Sequence, residues 1–238
     1  MGQTLEEQVR DFRELGLVVI EDAIVGAELE RLQQATDYWL EQSKADWLDR
    51  IATGDACPLW FDVPDPMEKE EIFIDMLDHP SYIDLLLAVT NEELIMQGPF
   101  QVRATPLWPV AYTAWHPDRA RSDQIHPKMQ IYINDVPEKG GEFAFVPGSH
   151  LWCDDTAYRR QRNNTMPGHV RLSGKAGTAI LFDNAGLHTA MENETDTPRK
   201  SMIIGFSKGR HASYQEQFAG AQKWCRSSRR KQILGLEV

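Results

Sequence analysis

The sequence predicts a mainly β protein, a sandwich or jelly roll with N-terminal helices packed on one face of the sheet. Three observations carry this expectation. Helical periodicity dominates residues 1–92. From Glu93 onward, short alternating runs separated by Gly, Pro, Asn and Asp take over. Finally, 238 residues with 42% apolar and 26% charged side chains can bury a substantial core without disulfide or metal staples.

Taken in order, Thr4-Leu5-Glu6-Glu7 reads as a capping box, Leu5, Val9, Phe12 and Leu15 follow at helical spacing, and Gly16 supplies the stop. The β-branched run Leu17-Val18-Val19-Ile20 reads as a strand, and Leu29, Leu32, Ala35 and Trp39 mark one face of a second helix. Residues 44–65 lose that periodicity and contain Gly54, Pro58 and Pro64, so an irregular segment able to cover a site is expected there. Helical patterns resume over 67–77 and 81–89. Strands are expected at 129–134, 141–146, 177–182 and 202–206, within a sheet region spanning 93–207. The tail, 208–238, is rich in basic residues (Arg226, Arg229, Arg230, Lys231) and reads as a solvated terminal helix, with a subunit contact as the alternative. All three regions are read as one domain, 1–238.

Subtracting 36 acidic from 25 basic residues leaves a net charge of −11, which argues against a sequence-independent grip on nucleic acid or an anionic membrane and in favour of a small-molecule partner. Local basic patches escape that average, and Arg103, Arg119, Arg121 and Lys128 are candidates for one. No apolar run approaches the roughly 18 residues of a membrane span, and the first residues lack the basic and apolar regions of an export signal. Cys57, Cys153 and Cys225 are odd in number and widely spaced, which argues against a disulfide framework or a thiolate zinc site. A cytoplasmic monomer or homodimer is the expectation.

Among seven histidines, His116 stands out. It ends the run Tyr112-Thr113-Ala114-Trp115, and Pro117 pushes it toward an extended conformation. Its imidazole and the carboxylate of Asp118 then lie together at a strand end, where an H-x-D pair can take adjacent positions on an octahedral ion. Alone, the tripeptide reads better as a turn histidine beside a solvated aspartate. Further on, the strand ending at Phe182 delivers His188 past Gly186, and Arg199 opens another strand with Ser201 close by. A guanidinium there can hold a carboxylate through two parallel hydrogen bonds, with the Ser201 hydroxyl as a further donor. H-x-D, a late histidine and then an arginine form a far more specific pattern than any one of them.

The run from Phe12 to Asp22, the motif Trp115-His116-Pro117-Asp118, the stretch from Gly140 through Pro147-Gly148-Ser149-His150, and His188 followed by Asn193, Pro198 and Arg199 are spread over most of the chain's length. In these motifs the sequence resembles the phytanoyl-CoA dioxygenase family of iron(II)- and 2-oxoglutarate-dependent oxygenases. The resemblance implies a double-stranded β-helix, a cupin-like jelly roll, with iron(II) bound at its mouth by His116, Asp118 and His188. It also implies Arg199 as anchor of the 2-oxoglutarate C5 carboxylate. Three protein ligands leave two positions for the keto acid and one for dioxygen. Two departures concern minor co-substrate contacts: Ala190 stands where the family often has serine, and Gln101 and Arg103 stand where it often has an upstream lysine. Gln101 and Arg103 are therefore candidates for the C1 end, with an exposed strand position as the alternative for each.

The implied reaction is hydroxylation or another oxidation of an unactivated C–H bond in a small metabolite, releasing succinate and CO2. A non-catalytic metal-binding jelly roll and a cupin-type isomerase independent of 2-oxoglutarate are the alternatives. His126, Lys128 and Arg119, in and after the loop leaving the motif, are the substrate candidates. Structural roles are expected for His150 in its Pro-Gly-Ser-His turn, for His79 near a helix start, and for Trp115 and Tyr112 as wall residues. His169 and His211, in or beside polar loops, have no partner at ligand spacing. Arg159, Arg160 and Arg162 lie in a stretch resembling the insertion that covers the site in the family, a solvated arginine run being the alternative.

Overall fold

The computed structural model describes residues 2–107, 114–153 and 166–236. Helix α1 (Leu5–Leu15) opens on the expected capping box, with Thr4 Oγ1 accepting from the Glu7 amide and the Glu7 carboxylate accepting from the Thr4 amide. It closes at Gly16, whose φ of 73° is left-handed. Glycine is required here for a second reason: a Cβ would stand 2.5 Å from His150 Nδ1. Strand β1 (Leu17–Ile20) follows as expected.

Helix α2 (Gly26–Thr53) runs well past the point where the sequence pattern fades. Its fully buried residues, Leu32, Thr36 and Leu40, all lie within its first fifteen residues; beyond Leu40 the helix keeps to the core through the partly buried Trp47 and needs no continuous apolar face. The expected irregular segment therefore shrinks to the residues after Gly54. There, β2 (Phe61–Asp62) brings Phe61 to stack on Trp47 with ring centroids 4.8 Å apart. The single helix expected over 67–77 is two, α3 (Pro66–Lys69) and α4 (Glu71–Asp75), divided at Glu70, which is extended. Helix α5 (Ile83–Thr90) completes the helical layer.

The strands that follow are β3 (Leu94–Thr105), β4 (Pro127–Tyr132), β5 (Phe143–Phe145), β6 (Val170–Leu172), β7 (Ala179–Asp183), β8 (His188–Ala190) and β9 (Arg199–Lys208). They form a six-stranded antiparallel sheet, β1-β7-β4-β9-β3-β2, and a three-stranded sheet, β6-β5-β8. Alternation along the large sheet divides its side chains between two layers. Met129, Ile131, Leu181, Met202 and Ile204 pack with Phe12, Leu32, Leu86 and Val89 of the helices. On the other face, Tyr132, Ile180 and Phe182 meet Phe143 and Phe145 of the small sheet. This is the expected mainly β architecture with helices on one face, although the two sheets do not close into one barrel among the described residues.

The tail departs from the solvated helix expected of it. A 3₁₀ segment (Glu216–Trp224) and α6 (Ser228–Leu234) bury Ala221, Cys225, Ile233, Leu234 and Leu236 in the helical core. The basic residues clamp the tail in place: Arg230 reaches Asp78 at 2.6 Å and Asp75 at 2.7 Å, and Arg226 reaches Glu71 at 2.7 Å. Among the described residues, no helix is long and apolar enough to cross a membrane. Leu234→Ala is expected to lower unfolding stability in urea by about 2–5 kcal/mol; a solvated tail would register only about 0.5 kcal/mol.

Candidate metal centre

Two reciprocal backbone hydrogen bonds bring the separated motifs together. The His116 amide donates to the His188 carbonyl at 3.1 Å, and the His188 amide donates to the His116 carbonyl at 3.0 Å. The two rings lie with centroids 4.5 Å apart. The amides of Asp118 and Arg119 both donate to the Asn184 carbonyl, at 2.9 and 3.2 Å, which turns the chain so that the carboxylate comes back over the histidines. Nδ1 of His116 meets the Ala114 carbonyl at 2.6 Å, and Nδ1 of His188 meets that of Gly186 at 3.0 Å. A carbonyl only accepts, so each Nδ1 carries its proton and each Nε2 is left with a free lone pair. Both Nε2 atoms face Asp118, at 3.7 Å for His116 and 3.4 Å for His188. One donor atom from each residue lies within 4.8 Å of the others.

The electrostatics favour the same forms. Burial, with the neighbouring His188, lowers the pKa of His116 and so favours its neutral imidazole. Burial pushes the Asp118 carboxyl up, but the adjacent His188 ring and the Lys128 ammonium at 2.6 Å outweigh it and hold the group well below the usual carboxylate range. Neutral imidazoles and an ionised carboxylate are the metal-binding states.

The three residues open into a cavity of about 320 Å³ whose wall includes Gln101, Arg103, Thr105, Lys128, Gln130, Phe143, Phe182 and Arg199. Arg199 is only 5% exposed. Its Nη1 donates to the Gly141 carbonyl and its Nη2 to Thr105 Oγ1 at 3.3 Å, while Nε is buried without an acceptor. Burial pulls its pKa down, as expected of a cation lacking a counter-ion. The nearby Glu142 is engaged by Arg171 at 2.9 Å. Gln130, which the sequence reading did not single out, also lines the cavity with its Nε2 buried and unpaired. Its place two residues after Lys128 on β4 was the available signal.

The other predicted residues divide. Gln101 and Arg103 line the wall, but the Arg103 guanidinium is gripped by both Asp62 oxygens at 2.7 and 2.8 Å and lies over Trp60. Ser201 is completely buried opposite Arg103 and Tyr132 and is not part of the cavity wall. Of the three substrate candidates, Lys128 alone faces the metal cavity. His126 and Arg119 line a separate cavity of about 210 Å³, beside Arg121. His126 bonds Ser207 Oγ at 2.9 Å, and its Nε2 lies 3.4 Å from Arg119; burial and the Arg119 charge push its pKa down. Leu59 and Trp60, from the segment expected to cover a site, do line the metal cavity. His150 bonds the Arg13 carbonyl, His79 joins Ser81 and Glu28, His169 bonds Met166, and His211 bonds Ile233, all structural roles. Trp115 is completely buried. Tyr112, Arg159, Arg160 and Arg162 lie outside the described residues.

A profile of the phytanoyl-CoA dioxygenase (PhyH) family matches residues 12–201. The chain belongs to this family. A probable alpha-ketoglutarate-dependent hypophosphite dioxygenase of Stutzerimonas stutzeri is 21% identical over 234 residues, covering 84% of this chain and 78% of the relative. Among solved structures, the non-heme alpha-ketoglutarate-dependent carbocyclase SnoK of nogalamycin biosynthesis superposes with a TM-score of 0.65 at 19% identity, covering 87% of each chain. The epimerase SnoN of the same biosynthesis gives 0.63 at 19% identity, covering 85% of this chain and 82% of its own. These two likenesses carry the fold. With its family and its His–Asp–His cluster, this PhyH member is an iron(II)- and 2-oxoglutarate-dependent enzyme.

Asp118→Asn is expected to weaken Mn(II) binding, measured by calorimetry, by more than the roughly 100-fold that loss of an outer-sphere partner can cause, while the thermal transition of the metal-free protein stays. Wild-type affinity in this variant would place the metal elsewhere.

Proposed function

We propose that His116, Asp118 and His188 hold iron(II), that Arg199 anchors the distal carboxylate of 2-oxoglutarate, and that the enzyme oxidises an unactivated C–H bond of a small molecule, hydroxylation being the first outcome expected. The reading rests above all on finding a three-donor cluster and a buried, incompletely satisfied guanidinium in one cavity. Bound there, iron(II) with 2-oxoglutarate and dioxygen supplies the oxidising power, the keto acid leaving as succinate and CO2.

The residues of the chain bind, orient and exclude water. The Nδ1 hydrogen bonds to Ala114 and Gly186 fix the ring orientations of His116 and His188, so no reorganisation is needed when a ligand arrives. Arg199 presents charge-assisted donors to a carboxylate, and Gln130 presents an amide donor from the adjacent strand. Phe143, Phe182, Ile203, Pro99 and Leu59 supply an apolar wall that keeps water from the reacting bond. Free thiols at Cys57 and Cys153 on the surface suit a cytoplasmic setting.

The family shares its fold with dioxygenase, carbocyclase and epimerase relatives, so architecture does not choose the outcome. A non-catalytic scaffold or an isomerase without 2-oxoglutarate would leave the buried Arg199 without a carboxylate partner. The carboxylate of Asp118 favours oxygenation over halogenation: as third protein ligand beside His116 and His188 it would occupy the position that a halide would need.

Two outcomes are expected. Arg199→Met raises the KM for 2-oxoglutarate in a succinate-release assay by about 100-fold, the equivalent of losing a charge-assisted carboxylate contact; an unchanged KM would move the anchor to another residue. Mass spectrometry of wild-type products formed in excess chloride shows oxygenated or desaturated product only, and a chlorinated product would mean that Asp118 does not ligate the metal.

A further inference from the structure

We propose that the primary substrate carries an anionic oxyacid group, of carboxylate or phosphonate type, and that Lys128 binds this group beside the metal position. The inference rests on the reading of His116, Asp118 and His188 as the iron ligands.

Lys128 points from β4 into the cavity with its side chain 13% exposed, and its ammonium lies 2.6 Å from Asp118 Oδ2. An ammonium has three donors. Asp118 takes one, and among the described residues no other acceptor engages Nζ. A metal on Asp118 shares that carboxylate's charge and leaves the ammonium less compensated. The cavity's other cations are committed: Arg103 to Asp62 and the face of Trp60, and Arg199 to Gly141, Thr105 and the keto acid.

The charge balance points the same way. The two charges of iron(II) are matched by the two carboxylates of 2-oxoglutarate, Asp118 by Lys128, and Arg103 by Asp62, so the loaded cavity keeps the charge of Arg199 in excess. Apolar walls focus such an excess on an entering anion. A purely hydrocarbon substrate would instead seal a partly satisfied ammonium away from water, at a cost. The chain's net charge of −11 therefore does not describe this cavity. The basic patch expected from the sequence is divided, with Arg103 and Lys128 in the metal cavity and Arg119 and Arg121 in the neighbouring one.

A competing role for Lys128 is to orient Asp118 alone, and the experiment separates the two. The iron-loaded enzyme is assayed for succinate release with short-chain carboxylates and alkylphosphonates, each beside its uncharged amide or ester. Stimulation is expected from anionic members only, and whether the carboxylates or the phosphonates stimulate identifies the group. In Lys128→Met, stimulated release is expected to fall about ten-fold or more relative to unstimulated release in the same variant, the scale of one charged hydrogen bond, with partial recovery in Lys128→Arg. If Lys128 only orients Asp118, both rates fall alike and the ratio holds, which overturns the proposal. Stimulation by the uncharged counterparts, or by no member of the panel in an enzyme that still binds 2-oxoglutarate, also overturns it. An enzyme that neither binds 2-oxoglutarate nor releases succinate overturns the oxygenase reading and this one together.

Discussion

The reciprocal backbone hydrogen bonds between His116 and His188, at 3.1 and 3.0 Å, are the constraint on which the candidate site depends. They join the segment carrying the H-x-D motif to β8, which lies in the small sheet, and so fix the separation of two imidazoles far apart in sequence. The remaining geometry follows from that pairing. The carbonyls of Ala114 and Gly186, each two residues before its histidine, set both tautomers. The Asn184 carbonyl, accepting from two successive amides, folds Asp118 back over the pair. Metal ligands held by backbone need little side-chain ordering on binding, which is the physical content of preorganisation.

The sheets then decide what surrounds the ligands. Alternation on β4 sends Met129 and Ile131 to the helical core and Lys128 and Gln130 to the cavity. On β9 the same rule sends Met202 and Ile204 to the core and Arg199 and Ile203 to the cavity. A one-residue slip in either strand would exchange the two sets, burying a lysine or an arginine among leucines and isoleucines. The helical layer and the docked tail, anchored by Arg230 on Asp75 and Asp78, therefore serve the site indirectly, by holding the register of the sheet.

Legibility followed the range of the interactions. The capping box at Thr4 and the left-handed Gly16 are local and readable from neighbouring residues, as are the strands with clean alternation. The second half of α2 was not, because a stretch of helix that keeps to the core through the partly buried Trp47 lacks the apolar stripe by which helices are recognised. The tail misled for a related reason: Arg226 and Arg230 look solvated until their partners Glu71, Asp75 and Asp78, distant in sequence, are brought alongside. His116, Asp118, His188 and Arg199 were legible as an ordered pattern, and the structure gathers all four into one cavity. Gln130 had only its place two residues after Lys128 on β4 to mark it, since an unsatisfied buried amide shows only in the packed state. His126 and Lys128 are separated by one residue, yet His126 precedes the first residue of β4 and is captured by Ser207, so only Lys128 reaches the cavity.

The most direct test of the account is a crystal structure of the protein with Mn(II) and 2-oxoglutarate, the metal being located by its anomalous scattering. The account predicts one strong peak at ligand distance, about 2.0–2.3 Å, from His116 Nε2, His188 Nε2 and an Asp118 oxygen, with the distal carboxylate of the keto acid on Arg199. A metal bound elsewhere, or a keto acid whose distal carboxylate avoids Arg199, would contradict it.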